Sequence, residues 1–273
     1  SLILVTPEET GRLPYIGSIE ADKTEVDGGQ DVDFTAEIAD GTTFAGAPCT
    51  VSQSLYMSEP YQFTVDAAIM SEYTNTSFAL WFKVEKFEHA SLGTLLMTKV
   101  NRNYGKTWTE NVWGEMWTAI RPAGYAKSNN IKRDNAENEI SLCTDAPAAG
   151  TPDYEHNNDV DILSDGYSLM PGVWYHVCAV KAGKELQLYL NGKLIASGTS
   201  RGRGPYNWKN GAKFYVGGSM TNLASLTGWV DEVQIWSKAL SEAEVKEAMK
   251  GYKTAPANLE GYFTFEEQKT DSE

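Results

Sequence analysis

The chain has 273 residues, 41% hydrophobic and 22% charged, with a formal net charge of −14 and a pI near 4.7. That is a globular composition, long enough for one large domain with a small appendage. Its acidity argues against a nucleic-acid partner, because phosphate backbones are bound by basic surfaces, and no apolar run reaches the length of a membrane-spanning helix.

The apolar opening LILV (2–5) is too short for a signal segment and lacks a basic leader. With Ser1 at its start, the chain reads as a processed or excised piece of a longer protein with flanking modules. Residues 1–40 are expected to form a linker or a partial module, since SIEADKTEVDGGQDVDFTAEIADG (18–41) resembles the opening strands of an immunoglobulin-like or polycystic-kidney-disease-type repeat but is too short to complete one. Residues 41–273 are expected to form the main domain. Strand signals then recur, bounded by Gly, Asn, Asp and Pro: SFALWFKV (77–84), GTLLMTKV (93–100), GEMWTAI (114–120), NEISLCT (138–144), WYHVCAV (174–180), ELQLYLNG (185–192), KFYVGG (213–218), GWVDEVQIW (228–236) and LEGYFTFEE (259–267). This pattern predicts an all-β fold, an antiparallel two-sheet sandwich. One helix is predicted over 240–251, with Ser241 and Glu244 spaced as a capping box and Gly251 as its stop. Between 101 and 170 the Asn, Gly, Pro and aromatic content predicts long loops, where binding commonly resides.

Three cysteines, Cys49, Cys143 and Cys178, cannot all pair within the chain, and their places inside β-like runs suit buried thiols. If 228–236 is a regular strand, Asp231 shares a face with Trp229, Val233 and Ile235, and Glu232 shares the other with Val230, Gln234 and Trp236. A carboxylate among apolar side chains must be neutralised, hydrogen-bonded or attached to a cation.

From about residue 44 to 267 the chain resembles a laminin G-like domain of the concanavalin A-like lectin/glucanase superfamily. The resemblance rests on FALWFKV (78–84), PGVWYHV (171–177), KELQLYLNG (184–192), FYVGG (214–218) and GWVDEVQIW (228–236) followed by LSEAEV (240–245), in the order the family has them. It implies a concanavalin A-like jelly roll, found in secreted, periplasmic or cell-surface bacterial multidomain proteins. It also implies a structural calcium site, with Asp231 similar by position to a metal ligand and Glu266 or Glu267 as a second contributor. A structural aspartate held by hydrogen bonds is the alternative.

The superfamily includes glycoside hydrolases, whose retaining members need two carboxyl groups about 5–5.5 Å apart. The segment DVDILSD (159–165) is the nearest approach, but it lacks the glutamates of that motif and reads as a solvated acidic loop or strand edge. The three histidines, His89, His156 and His176, find no GxSxG serine or activated thiol to serve, and His176 reads as structural. The expected function is therefore noncatalytic carbohydrate binding, with a glycan as partner. A protein-adhesion or spacer domain and a divergent glycoside hydrolase are the alternatives.

Eight tryptophans and fourteen tyrosines are the chemical asset, since a sugar site pairs aromatic rings with polar groups. The densest cluster, YGKTWTENVWGEMW (104–117), contributes Trp108, Trp113, Glu115 and Trp117 and leads to Arg121 and Tyr125. If 115–121 is a strand, Glu115, Trp117 and Arg121 share a face opposite Met116 and Ile120, away from the core. Tyr206 and Trp208 are expected in a loop that supplements this face. Trp81, Trp174 and Trp236 are assigned to packing of the sandwich.

Overall fold

The computed structural model describes residues 15–21, 34–39, 54–58, 63–66, 72–87, 94–100, 115–124, 137–145, 160–200, 206–207, 213–218 and 225–265. In chain order the strands are β1 (Tyr15–Ala21), β2 (Phe34–Ala39), β3 (Leu55–Met57), β4 (Phe63–Asp66), β5 (Glu72–Tyr73), β6 (Asn75–Val84), β7 (Thr94–Val100), β8 (Glu115–Arg121) and β9 (Glu139–Asp145). They continue with β10 (Val160–Ser168), β11 (Trp174–Ala182), β12 (Glu185–Leu190), β13 (Lys193–Thr199), β14 (Tyr206–Asn207), β15 (Lys213–Val216) and β16 (Gly228–Trp236). Helix α1 (Glu242–Ala248) and β17 (Leu259–Phe263) complete the order. β1 and β2 form an antiparallel pair of their own within the segment expected to be a linker or partial module.

Two antiparallel sheets build the sandwich. One has six strands in the order β10-β9-β8-β7-β15-β4; the other has seven, β13-β12-β11-β6-β16-β17, with β3 also paired to β16. Alternation gives each strand one apolar face. From β6 it sends Phe78, Leu80, Phe82 and Val84 inward, and these meet Met116 and Ile120 of β8, Leu142 of β9 and Phe214 of β15 in one buried core. Phe78 and Phe214 touch edge to face across the layers, with centroids 5.0 Å apart. The all-β sandwich with one short helix near the C-terminus is the fold that the strand pattern predicted.

The helix is built as its sequence suggests. Ser241 caps it, accepting from the Glu244 amide, and the Glu244 side chain accepts from the Ser241 amide in return. Val245 and Ala248 are buried against the outer face of the seven-stranded sheet, beside Cys178, Val180, Tyr189 and Trp236. The sheet also supplies the helix's C-terminal partners. Gln234 Nε2 donates to the Ala248 carbonyl at 2.9 Å and Trp81 Nε1 to the Met249 carbonyl at 3.1 Å, satisfying groups that a helix end leaves open.

The structure chooses between the alternatives for one segment and corrects two expectations. Residues 160–168 are the edge strand β10 of the six-stranded sheet, with Ile162 and Leu163 buried, so the segment is a strand edge and no solvated loop. Tyr206 and Asn207 pair with Tyr73 and Glu72 in a short ladder where a loop was expected. The regular alternation proposed for 228–236 also fails, because β16 carries a bulge between Asp231 and Gln234, and Glu232 takes a positive φ of 50°. The extra residue resets the register. Val230, Val233 and Ile235 face the core, while Trp229, Asp231, Gln234 and Trp236 belong to the outer face.

The cysteines follow the buried-thiol reading where they are described. Cys143 and Cys178 are buried on different sheets, and burial pushes the Cys178 thiol up. Cys49 lies outside the described residues.

Candidate functional site

The face predicted from β8 is only partly described. β8 does form over 115–121, and Met116 and Ile120 do point into the core. Trp117 is half-buried and packs against Ala119, in register with Thr98 of β7 and Cys143 of β9. Arg121 departs from the expectation. Its side chain is 0% exposed, and its Nε donates to Ser141 Oγ at 2.7 Å, beside a buried Glu139 that is its cross-strand partner. A guanidinium held this way ties β8 to β9. Trp108, Trp113, Tyr125 and Trp208 lie outside the described residues, as do the side chains of Glu115 and Tyr206.

The opposite outer face carries an arrangement that the sequence reading missed. Trp174 of β11 and Trp229 of β16 are both register partners of Lys83 on β6, and Tyr56 of β3 is the partner of Trp229. These four side chains therefore form a row across four strands. The Lys83 ammonium lies over the Trp229 ring at 4.2 Å from its centroid and over the Trp174 ring at 5.2 Å, within reach of both π faces. Tyr56 meets Trp229 edge to face at 4.9 Å. The Tyr56 hydroxyl donates to Glu85 Oε2 at 2.7 Å, and that bond raises the tyrosine's pKa, with smaller contributions from desolvation and the glutamate's charge.

Exposure distinguishes this row from the part of the same face that α1 covers. Tyr56 is 46% exposed and the two tryptophans and Lys83 are half-buried, whereas neighbours further along the same face are sealed by α1. A glycine makes the row possible. A Cβ at Gly228 would lie 2.1 Å from the Lys83 carbonyl oxygen, so only glycine lets β16 come this close to β6 and set Trp229 beside Lys83. The assignment of Trp174 to packing is thereby corrected, while Trp81 and Trp236 do pack, beneath the helix. Alternation in FALWFKV places Trp81 and Lys83 on one face, which sequence can show. Which tryptophans flank Lys83 depends on cross-strand register, which it cannot.

Chemically, the row combines aromatic surface, a cationic donor and a carboxylate acceptor. Sugars present apolar C–H faces and hydroxyl edges, and this set meets both.

The Asp231 question has a local answer. Asp231 is 2% exposed, and its Oδ1 accepts the Glu232 amide at 2.7 Å, so the carboxylate braces the bulge. Glu232 is also 2% exposed and accepts the Tyr262 hydroxyl, whose oxygen in turn accepts the Tyr252 amide at 2.9 Å. Gly251, at a φ of 68°, makes room, since a Cβ there would lie 2.5 Å from Glu232 Oε2. Among the described residues no group of three His, Cys, Asp or Glu side chains stands together to hold a metal ion. These surroundings fit the hydrogen-bonded aspartate; Glu266 and Glu267, the other expected calcium contributors, lie outside the described residues. His176, also buried, packs its ring against Trp81 at 5.3 Å, donates its amide to Asn191 Oδ1 and accepts the Asn191 amide at its carbonyl, as a structural residue does. His89 and His156 lie outside the described residues.

Among the described residues no helix is long and apolar enough to cross a membrane. A search of the curated proteins found no match. Among solved structures, the chain is similar to a candidate carbohydrate-binding protein from Bacteroides ovatus, with 16% identity and a TM-score of 0.53. That match covers 92% of this chain and 61% of the other, so the chain spans about three fifths of that structure's length. It is also similar to a heptameric SAP-like pentraxin from Limulus polyphemus, with 12% identity, a TM-score of 0.48, and 79% and 88% of the two chains covered. The CBM40 of the Ruminococcus gnavus IT-sialidase matches with 16% identity, a TM-score of 0.47, and 73% and 97% covered. A laminin G-type family model, described as the concanavalin A-like lectin/glucanases superfamily, matches residues 107–246. That is just over half of the chain, and with the two-sheet fold it places the protein: the chain belongs to the concanavalin A-like lectin/glucanases superfamily.

Proposed function

We propose that the protein is a noncatalytic carbohydrate-binding module, part of a secreted or cell-surface bacterial multidomain protein, and that the Trp174–Lys83–Trp229–Tyr56 row is its glycan-binding face. The observation that carries this reading is the clamped, partly open row itself. Rings held by a lysine between them are fixed before a ligand arrives, so binding costs little further ordering. The Bacteroides ovatus structure, whose own description is carbohydrate binding, agrees with the reading. Hydrolysis would require a carboxyl pair, and among the described residues the acid beside the row is Glu85, which accepts from a tyrosine.

A glycan-array screen of the folded protein tests the proposal. Binding to a coherent group of glycans, lost in Trp174→Ala and Trp229→Ala, supports it. Silence on a broad array moves the weight to a protein-adhesion or spacer domain. Running the array and a thermal melt with calcium and with chelator tests the metal expectation. A carboxylate engaged only at the bulge predicts equal melting temperatures, and a rise in calcium that Asp231→Ala abolishes would support the metal reading.

A further inference from the structure

From the charges around the row we infer its ligand class: a sugar residue bearing a carboxylate, seated with its acid group on Lys83. This rests on the carbohydrate-binding reading of the same row. The Lys83 ammonium is half-buried between two indoles, and within the described structure these rings are its interactions; it forms no ion pair with Glu85, whose Oε2 is taken by Tyr56. Cation–π attraction holds the ammonium in place without supplying an acceptor for its N–H groups. A carboxylate supplies one, in surroundings partly dried by the rings, where a charge pair is worth more than in open water. The exposed tyrosine ring and the edges of the indoles then meet the C–H face of the same or the next sugar.

The overall charge of −14 opposes an anion at a distance. At physiological salt, however, exposed charges beyond about 8 Å are largely screened, so the row's own charges decide. Among the described residues these are Lys83, which lies against the two indoles, and Glu85, whose carboxylate accepts from Tyr56.

The test measures binding of polygalacturonic acid and polysialic acid, each beside its carboxyl-reduced polymer, to the parent protein, Lys83→Met and Lys83→Arg. Met keeps the stem that fills the space between the rings, and matching melting temperatures confirm that the fold persists. We expect at least one acidic polymer to bind, its reduced form to bind at least tenfold more weakly, and Lys83→Met to lose a similar factor. Lys83→Arg keeps the charge but not the fit of a compact ammonium between the rings, and should bind the acidic polymer more tightly than Lys83→Met. Which acidic polymer binds separates a uronate from a sialate ligand. Equal binding of acidic and reduced polymers, or unchanged binding by Lys83→Met, overturns the inference and leaves the module reading standing. Binding to neutral glycans with none to either acidic polymer does the same. Absence of binding to any glycan, acidic or neutral, removes both.

Discussion

The outer face of the seven-stranded sheet has two ends that begin from similar residues and finish differently. At one end Trp81 and Trp236 lie beneath α1, their indole N–H groups donating to Met249 O and Gln234 Oε1. At the other, Trp174 and Trp229 stand half-exposed around Lys83, with no helix above them among the described residues. Strand β16 contributes a tryptophan to each end, Trp229 and Trp236, and the Asp231–Glu232 bulge between them resets the register so that both reach this face. The difference teaches that the role of a tryptophan here follows from what covers it. A covered indole finds backbone or side-chain acceptors and stabilises the fold; an open one keeps ring surface for a ligand.

Substitutions at the two ends should therefore separate stability from binding. The largest effect is expected at Trp236→Ala, which empties the space between helix and sheet and should cost about 3–5 kcal/mol, read by chemical denaturation. A variant that melts like the parent would mean that α1 does not depend on this indole. Next is Gly228→Ala, where the new methyl group meets the Lys83 carbonyl oxygen. A cost of about 1–3 kcal/mol is expected, with glycan binding reduced because Trp229 shifts relative to Lys83. Trp229→Ala removes one edge-to-face contact and one cation–π contact and should cost about 1–2 kcal/mol while abolishing glycan binding. Comparable stability losses at Trp229 and Trp236 would erase the distinction between the ends.

The smallest effect concerns the helix cap. Ser241→Ala should cost about 1 kcal/mol, since it removes the acceptor for the Glu244 amide. The hydrogen bond from Lys238, followed by those from Ser241, pulls Glu244 down to about 2 from an ordinary value of 4.5. A carboxyl depressed in the folded state contributes stability that is present above pH 4.5 and is lost as the pH falls toward 2. Because this side chain is 40% exposed, solvent weakens the effect. Glu244→Gln should flatten that part of the acid melting curve, and an unchanged curve would show that the pair contributes nothing to acid stability.

Much of the fold was legible from local signals. Alternation located β6, β8, β11 and β16, and the Ser241/Glu244 spacing located the helix cap. The β10 strand was harder to read because its acids, Asp161 and Asp165, and the break in its pairing with β9 between Leu163 and Ser168 interrupt the apolar rhythm. The bulge in β16 was not legible, since nothing in GWVDEVQIW marks Glu232 as a residue with positive φ. The candidate site was read only in its chemistry. Aromatic richness beside polar groups pointed to sugars, but the row is assembled from residues at 56, 83, 174 and 229, and pairing among distant strands is a tertiary fact. Arg121 illustrates the converse. Its side of the strand was anticipated, yet burial on that side was not, because alternation tells which way a side chain points and is silent on what lies over it.

The most direct test of the central claim is a side-by-side glycan array of the parent, Trp229→Ala and Trp117→Ala proteins, each checked for a native melt. The open-row account predicts that Trp229→Ala loses the parent's signals and that Trp117→Ala keeps them. The reverse pattern, binding intact without Trp229 and lost without Trp117, would contradict it and return the site to the outer face of the six-stranded sheet.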